Sequence, residues 1–462
     1  MATSLAHPSP TLEVPAHVSS VVAFAGSLTL QALPSAVLDH ARLIVLDTIG
    51  VIAAGVREEP VRGLVAALEP TASGAASVPG APFGLPASLA AFVNGTAGTW
   101  NELDEGNYPT NQHPAIHVVP AALALAEELG QGGGELLRSI IAGYEVSGRL
   151  GMATTFRDAV MHPHGTHGTV GGALACGLLL GLTPERLGAL LNIASSMTVA
   201  TSRPTVFEGA TVRNSYAGQA NQNAVLAARM AAAGFTGERD GIGSVFGRVS
   251  GEAFDADRFV AGLGSDFILT RNYFKFHACC AYNHATLEAL SRATAGRRPR
   301  TEDVVSVEVA TYYPATRMIR TDVDNPLASK FSLPYAVSAM LVRDSCDRDS
   351  FVEPALSDPR IRALMPLVTV REDPDATAAY PAKQQAALRI QLRDGSRLEA
   401  AVDTVRGDHA NPVAPAEVIG KFIGLASPVL GARQAARVVE LVAGLGKGTT
   451  GRELGSALRV AS

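Results

Sequence analysis

Between Ser35 and about Phe259 the chain repeats one pattern: apolar residues at three- and four-residue steps, with proline near the starts and glycine after the ends. The segments are Ser35 to Gly55, Pro86 to Trp100, Pro114 to Leu129, Glu135 to Arg149, Gly168 to Leu182, Pro184 to Ala200 and Ser215 to Ala233. Most are apolar nearly all round, which predicts helices buried within a large helical core rather than lying on its surface. Aromatic residues make up only 5%, with Trp100 the single tryptophan, so Ala, Leu, Val and Gly must fill that core by close packing.

The texture changes after Leu269. Asp303 to Pro314 alternates with period two, and so does Ala386 to Val402, where Asp394-Gly395 marks a hairpin turn. Helical patterns lie between them at about Leu333 to Val342 and Asp358 to Leu364, and helical periodicity returns at Pro415 to Ala426 and Gly431 to Leu445. The expectation is a mainly α fold: a large helical domain built from 17–268 and 409–462, with a smaller α+β lid at 269–408 inserted. Residues 1–16, with Pro8, Pro10 and Pro15, read as a loose arm.

Several function classes are set aside. A net charge of −5 without a long basic run argues against nucleic acid as a partner. No stretch approaches the ~20 apolar residues that span a bilayer. Four cysteines in 462 residues form no disulfide framework, which fits a cytoplasmic protein. HExxH, GxSxG and P-loop motifs are missing. Gly241-Ile242-Gly243 follows no strand, so a dinucleotide site is not expected.

Chemistry concentrates in four clusters. In the first, Pro114 places His113 at a helix N-terminus, where the local field disfavours imidazolium and suits a carboxylate ligand. Glu102, Asp104 and Glu105 precede it and could orient the imidazole. The second holds His162, His164 and His167 among glycines and threonines. The third places Arg213 ahead of a small-residue helix that carries Asn221 and Asn223, a suitable carboxylate clamp. The fourth, at the helical-to-mixed boundary, brings Lys275, His277, Cys279, Cys280 and His284. Histidine spacing suggests a zinc set at 162–167 or at 113 and 117, yet no converging carboxylate or cysteine partner is visible, so no metal is expected. Together the clusters point to a small polycarboxylate ligand.

With these residues in hand the chain resembles the MmgE/PrpD family, from about Val22 to Ala443. The matching segments are LDTIGVIAAG at 46–55, FVNGTAGTWNELDEG at 92–106, HPAIHVVPAALALAEELG at 113–130, AGYEVSGRLG at 142–151, AARMAAAGFTG at 227–237 and SKFSLPYAVSAML at 329–341. The resemblance implies a cofactor-free site in a cleft between body and lid, and a homodimer. It implies catalytic roles for His113, His162, Lys275 and Asp104. His284 and, in an F-S-x-x-Y position, Tyr335 carry over as substrate contacts, and the clusters themselves add Glu102, His164, Arg213 and His277. The chain departs from the family at Glu102-Leu-Asp-Glu-Gly106, at Arg213 in place of lysine, at His164 in place of threonine and at His277 in place of tyrosine.

The function expected from the resemblance is a lyase acting on a small di- or tricarboxylate, foremost a 2-methylcitrate-type dehydratase. His113 or His162 would take the proton α to a carboxylate while Arg213 and Lys275 hold the acid groups. Decarboxylation of a cis-aconitate-like acid, epimerisation of an iminodisuccinate-like acid and carboxylate binding without turnover stand beside it.

Overall fold

The computed structural model describes residues 14–69, 73–157, 160–296 and 298–460. Most of the expected loose arm therefore lies outside the described residues. The fold is mainly α. Its principal helices are α1 (Ala16–Ser27), α2 (Ser35–Gly55), α3 (Ala87–Trp100), α4 (Pro114–Leu129), α5 (Gly133–Ala153), α6 (His167–Leu179), α7 (Pro184–Ser196), α8 (Val212–Ala233), α9 (Ala281–Thr294), α10 (Leu333–Arg343), α11 (Pro415–Leu430) and α12 (Ala432–Ala443).

One hydrophobic core runs from Val18 to Phe274 and is joined by Val418, Phe422 and Ala426 of α11 and by Ala435 and Val438 of α12. The last helices thus return to the first, with α11 packed along α2. A second core gathers residues from Ala278 to Val402, together with Val51, Leu103 and Val206 from the first half of the chain. Its sheet has four strands, β1 (Val304–Thr311), β2 (Val368–Glu372), β3 (Ala386–Leu392) and β4 (Arg397–Val402), in the order β2-β1-β3-β4. Val307 of β1 sits opposite Ile390 of antiparallel β3 and Val368 of parallel β2. Gly395 turns the β3–β4 hairpin at φ +82°, a backbone region where a side chain would be strained.

Among the elements that the periodicity does not predict are α1, α9 and β2. Helix α1 lies before the first strong periodic run, and β2 is a five-residue strand whose alternation is too short to stand out.

Helix α4 carries a repair that the site depends on. Pro120 lies inside it and has no N–H to give the Ile116 carbonyl. Asn221 of α8 replaces the missing donor: its Nδ2 donates to Ile116 O at 2.8 Å, and its Oδ1 accepts from Ala121 N–H at 3.0 Å. Asn221 is fully buried, so it is a structural splint for the helix that presents His113. Asn221→Leu should strand both backbone groups in the core, at roughly 1–3 kcal/mol each. Denaturant unfolding checks this; an unchanged midpoint would show that α4 does not need the splint.

Candidate active site

Helix α3 ends at Trp100, and the chain then turns sharply through Glu102, a non-glycine residue at φ +53°. Such a conformation costs roughly 1–2 kcal/mol and must be held by its surroundings. Two contacts hold it. Arg213 makes an ion pair with Glu102 Oε1, and Lys275 Nζ lies 3.5 Å from Oε2. Lys330, fully buried, supports the turn from behind by donating to Trp100 O at 2.8 Å; burial pushes its amine down to about 8.

Asp104 and Glu105 serve His113. Asp104 Oδ2 lies 2.9 Å from His113 Nδ1, and Asp104 Oδ1 lies 3.8 Å from Lys275 Nζ. Burial by itself would raise the Asp104 carboxyl, but Lys275, His113 and Arg213 outweigh it and hold the group well below the carboxylate range. Asp104 and Glu102 keep the Lys275 ammonium raised despite its full burial. His113 Nδ1 donates to Glu105 O at 2.7 Å. The Glu105 side chain accepts from Ala115 N–H at 2.9 Å and from the Tyr144 hydroxyl at 3.0 Å. His113 is the N-cap residue of α4, as the spacing predicts, but that helix N-terminus is filled by Glu105 rather than left open for a ligand. Burial pushes the Glu105 carboxyl up to about 8.

The second histidine segment is clipped to this helix by His117. Its Nδ1 donates to His113 O at 2.8 Å and its Nε2 accepts from Gly165 N–H at 3.1 Å. Both nitrogens are committed, and burial lowers the group to about 4. A Cβ on Gly168 would lie 2.3 Å from His117, so a glycine there admits the clip. His162 Nδ1 accepts from His164 N–H at 3.2 Å, which puts the ring proton on Nε2. Burial, reinforced by Arg213 and Arg203, holds His162 well below its ordinary value. His162 is therefore a neutral donor.

Glu102, His113, His162, Arg213 and Lys275 line one cavity of about 60 Å³, closed on other sides by Tyr108, Tyr273, Val206, Met318 and Phe331. Asn107, Asn111 and Gln112 add amides to its wall, and the Arg213 guanidinium lies 5.5 Å from the centre of the Phe331 ring. Asp104 stands directly behind His113 and Lys275. His164 is stacked between His113 and His162 and does not line the cavity.

Besides His164, three expected substrate contacts fall outside the cavity lining. The Tyr335 hydroxyl donates to Ser350 O at 2.9 Å within the second core. His277 and His284 pack edge to face at 5.2 Å and do not line the cavity, with His284 Nε2 3.2 Å from Cys279 O. His167 separates from its neighbours and stacks on Phe246 at 4.9 Å. Conversely, the sequence offers no sign that Tyr108 and Tyr273 meet at 4.2 Å beside His113. His117 did carry a signal, its four-residue spacing from His113. Asp104, His113 and His164 each bring one ligand-capable atom within 4.8 Å of the others, a set hidden in the sequence by separations of 9 and 51 residues.

The chain matches the MmgE/PrpD N-terminal domain over residues 19–248 and the C-terminal domain over 277–446. It belongs to the MmgE/PrpD family. A cis-aconitate decarboxylase of Aspergillus terreus is 27% identical over 465 residues, covering 92% of this chain and 92% of its own length. The Mus musculus cis-aconitate decarboxylase is 27% identical, covering 88% of this chain and 86% of its own, and that of Homo sapiens is 24% identical, covering 75% and 74%.

The buried imidazoles imply a pH profile of stability. Burial lowers His40, His117, His162, His164, His167, His277 and His284, so each stays neutral in the fold and binds a proton on unfolding below 6.5. Each stabilises fully above that pH and loses about 1.4 kcal/mol per unit as pH falls. The raised carboxyls of Asp47, Glu105, Glu127, Glu145 and Asp408 act with the opposite sign, but they are fewer. The melting temperature should fall steeply below pH ~6 and decline gently above pH ~7. A flat profile from pH 5 to 7 would contradict the neutral cluster.

Proposed function

We propose that this chain is a lyase that decarboxylates a small tricarboxylate of the cis-aconitate type. The carrying observation is that Arg213, Lys275 and His113 face one cavity, with the ionised Asp104 behind His113. The curated relatives named cis-aconitate decarboxylase, matched over most of their length, favour carboxyl loss over the dehydration that the sequence put first. We place the reaction at the seam between 269–408 and the helical body of 17–268 and 409–462, in a homodimer. Four free, buried cysteines suit a cytoplasmic setting.

In this reading Arg213 and Lys275 anchor two carboxylates, and His162 Nε2–H donates to a third polar group. A carboxylate set against Phe331, Met318 and Val206 is poorly solvated, and leaving as CO₂ relieves that cost. The C–C bond breaks, its electron pair moves through the alkene, and His113 delivers a proton to the far carbon. Asp104 stabilises the imidazolium that must precede this transfer. Dehydration of a hydroxylated tricarboxylate is the second reading, favoured by the neutral donor His162 beside His113, one able to assist a leaving hydroxyl while the other takes a proton.

Proton NMR in D₂O distinguishes them. Cis-aconitate should give terminal methylene signals and one incorporated deuterium. New alkene signals from 2-methylcitrate or citrate would establish dehydration instead, and a bound acid without turnover would make the chain a binding protein. His113→Ala should lower kcat by about 10²–10⁴ with the fold retained. Arg213→Met should raise KM by roughly 10–100-fold, the worth of a charge-assisted hydrogen bond. Near-normal rates in His113→Ala would remove it from the chemistry.

A further inference from the structure

Behind the cavity, the His164 ring is packed against His113 at 4.6 Å, His162 at 5.0 Å and His117 at 5.0 Å. It is 2% exposed, and neither of its ring nitrogens has a hydrogen-bond partner among the described residues. A neutral imidazole carries one N–H and one lone pair, so burying both unpaired is costly, whereas an apolar ring would fill the space freely. Asp104 is also buried; its oxygens contact His113 and Lys275 but make no aligned hydrogen bond among the described residues. Asp104 Oδ2 lies 2.9 Å from His113 Nδ1, the nitrogen whose proton goes to Glu105 O, so an ion shared with Asp104 takes Nδ1 and moves that proton to Nε2. Two imidazoles and a carboxylate, with ligand-capable atoms within 4.8 Å of one another, are a donor set suited to a borderline divalent ion.

We propose that Asp104, His113 and His164 bind a divalent transition-metal ion of the zinc class, and that occupancy inhibits the enzyme by tying up His113 Nδ1 and Asp104, so that the His113 imidazolium no longer forms. The three residues leave coordination positions open for water or a substrate carboxylate. Lys275, 3.8 Å from Asp104, opposes the cation. The site is therefore of modest affinity, and removing that charge tightens it. The binding half stands apart from the proposed function; the inhibition half rests on the role assigned to His113 there.

The test uses the full chain stripped with chelator and titrated with ZnCl₂ alone, by calorimetry and by anomalous diffraction at the zinc edge. One ion per chain is expected, with its peak about 2.0–2.2 Å from the three side chains. His164→Phe should weaken binding by more than the roughly 10–100-fold that loss of an outer-shell partner costs. Lys275→Met should strengthen it, and zinc should lower wild-type turnover reversibly to chelator. Absence of saturable binding overturns the proposal. So does an anomalous peak only elsewhere, for instance at Asp408 and His409, or equal affinity in His164→Phe. If that variant does not fold, the wild-type anomalous map decides. Turnover in chelator is read separately, so failure of the metal site and failure of the lyase reading are distinguishable.

Discussion

A buried chain of charges organises this molecule: Arg213 to Glu102, Glu102 to Lys275, Lys275 to Asp104, and Asp104 to His113. Removing so many charges from water is expensive, and hydrophobic residues of similar volume would serve stability as well or better. Its worth lies in what it fixes. The two acids cancel much of the field of two cations, so Lys275 stays charged at full burial and Arg213 is held against Glu102 Oε1. The strained turn at Glu102 is the local cost of bringing its carboxylate between them.

The helical body is shaped to keep that chain in register with the histidines. Asn221 splints the proline break in α4, and His117 ties the α4 N-terminus to the Gly165 loop. Glycine at 168 exists where a Cβ would strike His117, and Glu105 accepts the Ala115 N–H at the start of α4. Each device uses a small or polar residue inside a core that is otherwise Ala, Leu and Val. His113 and His162, which come from different segments, consequently meet one cavity wall as different tautomers.

Much of this was legible in the residues. The Pro-start and Gly-stop punctuation placed α4 at its observed limits and put His113 at its N-cap, because both signals are local backbone chemistry. The Asp394-Gly395 turn marked its hairpin for the same reason. His113, His162, Arg213 and Lys275 were each recognisable as functional types and do share the cavity. Partner choice was not legible. The same motif logic that proposed Tyr335, His277 and His284 as contacts could not see that Ser350 O takes the Tyr335 hydroxyl or that the two histidines face each other. Which carboxylate fills a helix N-terminus, ligand or Glu105, likewise depends on side-chain packing between distant segments.

The account turns on the division of labour between His113 and His162, and nitrogen NMR of ¹⁵N-histidine-labelled protein reads it directly. Long-range proton–nitrogen correlations at neutral pH should show hydrogen on Nδ1 of His113 and on Nε2 of neutral His162, with His117 carrying its hydrogen on Nδ1. A His162 ring with its hydrogen on Nδ1, or one that is charged at neutral pH, would contradict the assignment of His162 as neutral donor and His113 as the proton carrier.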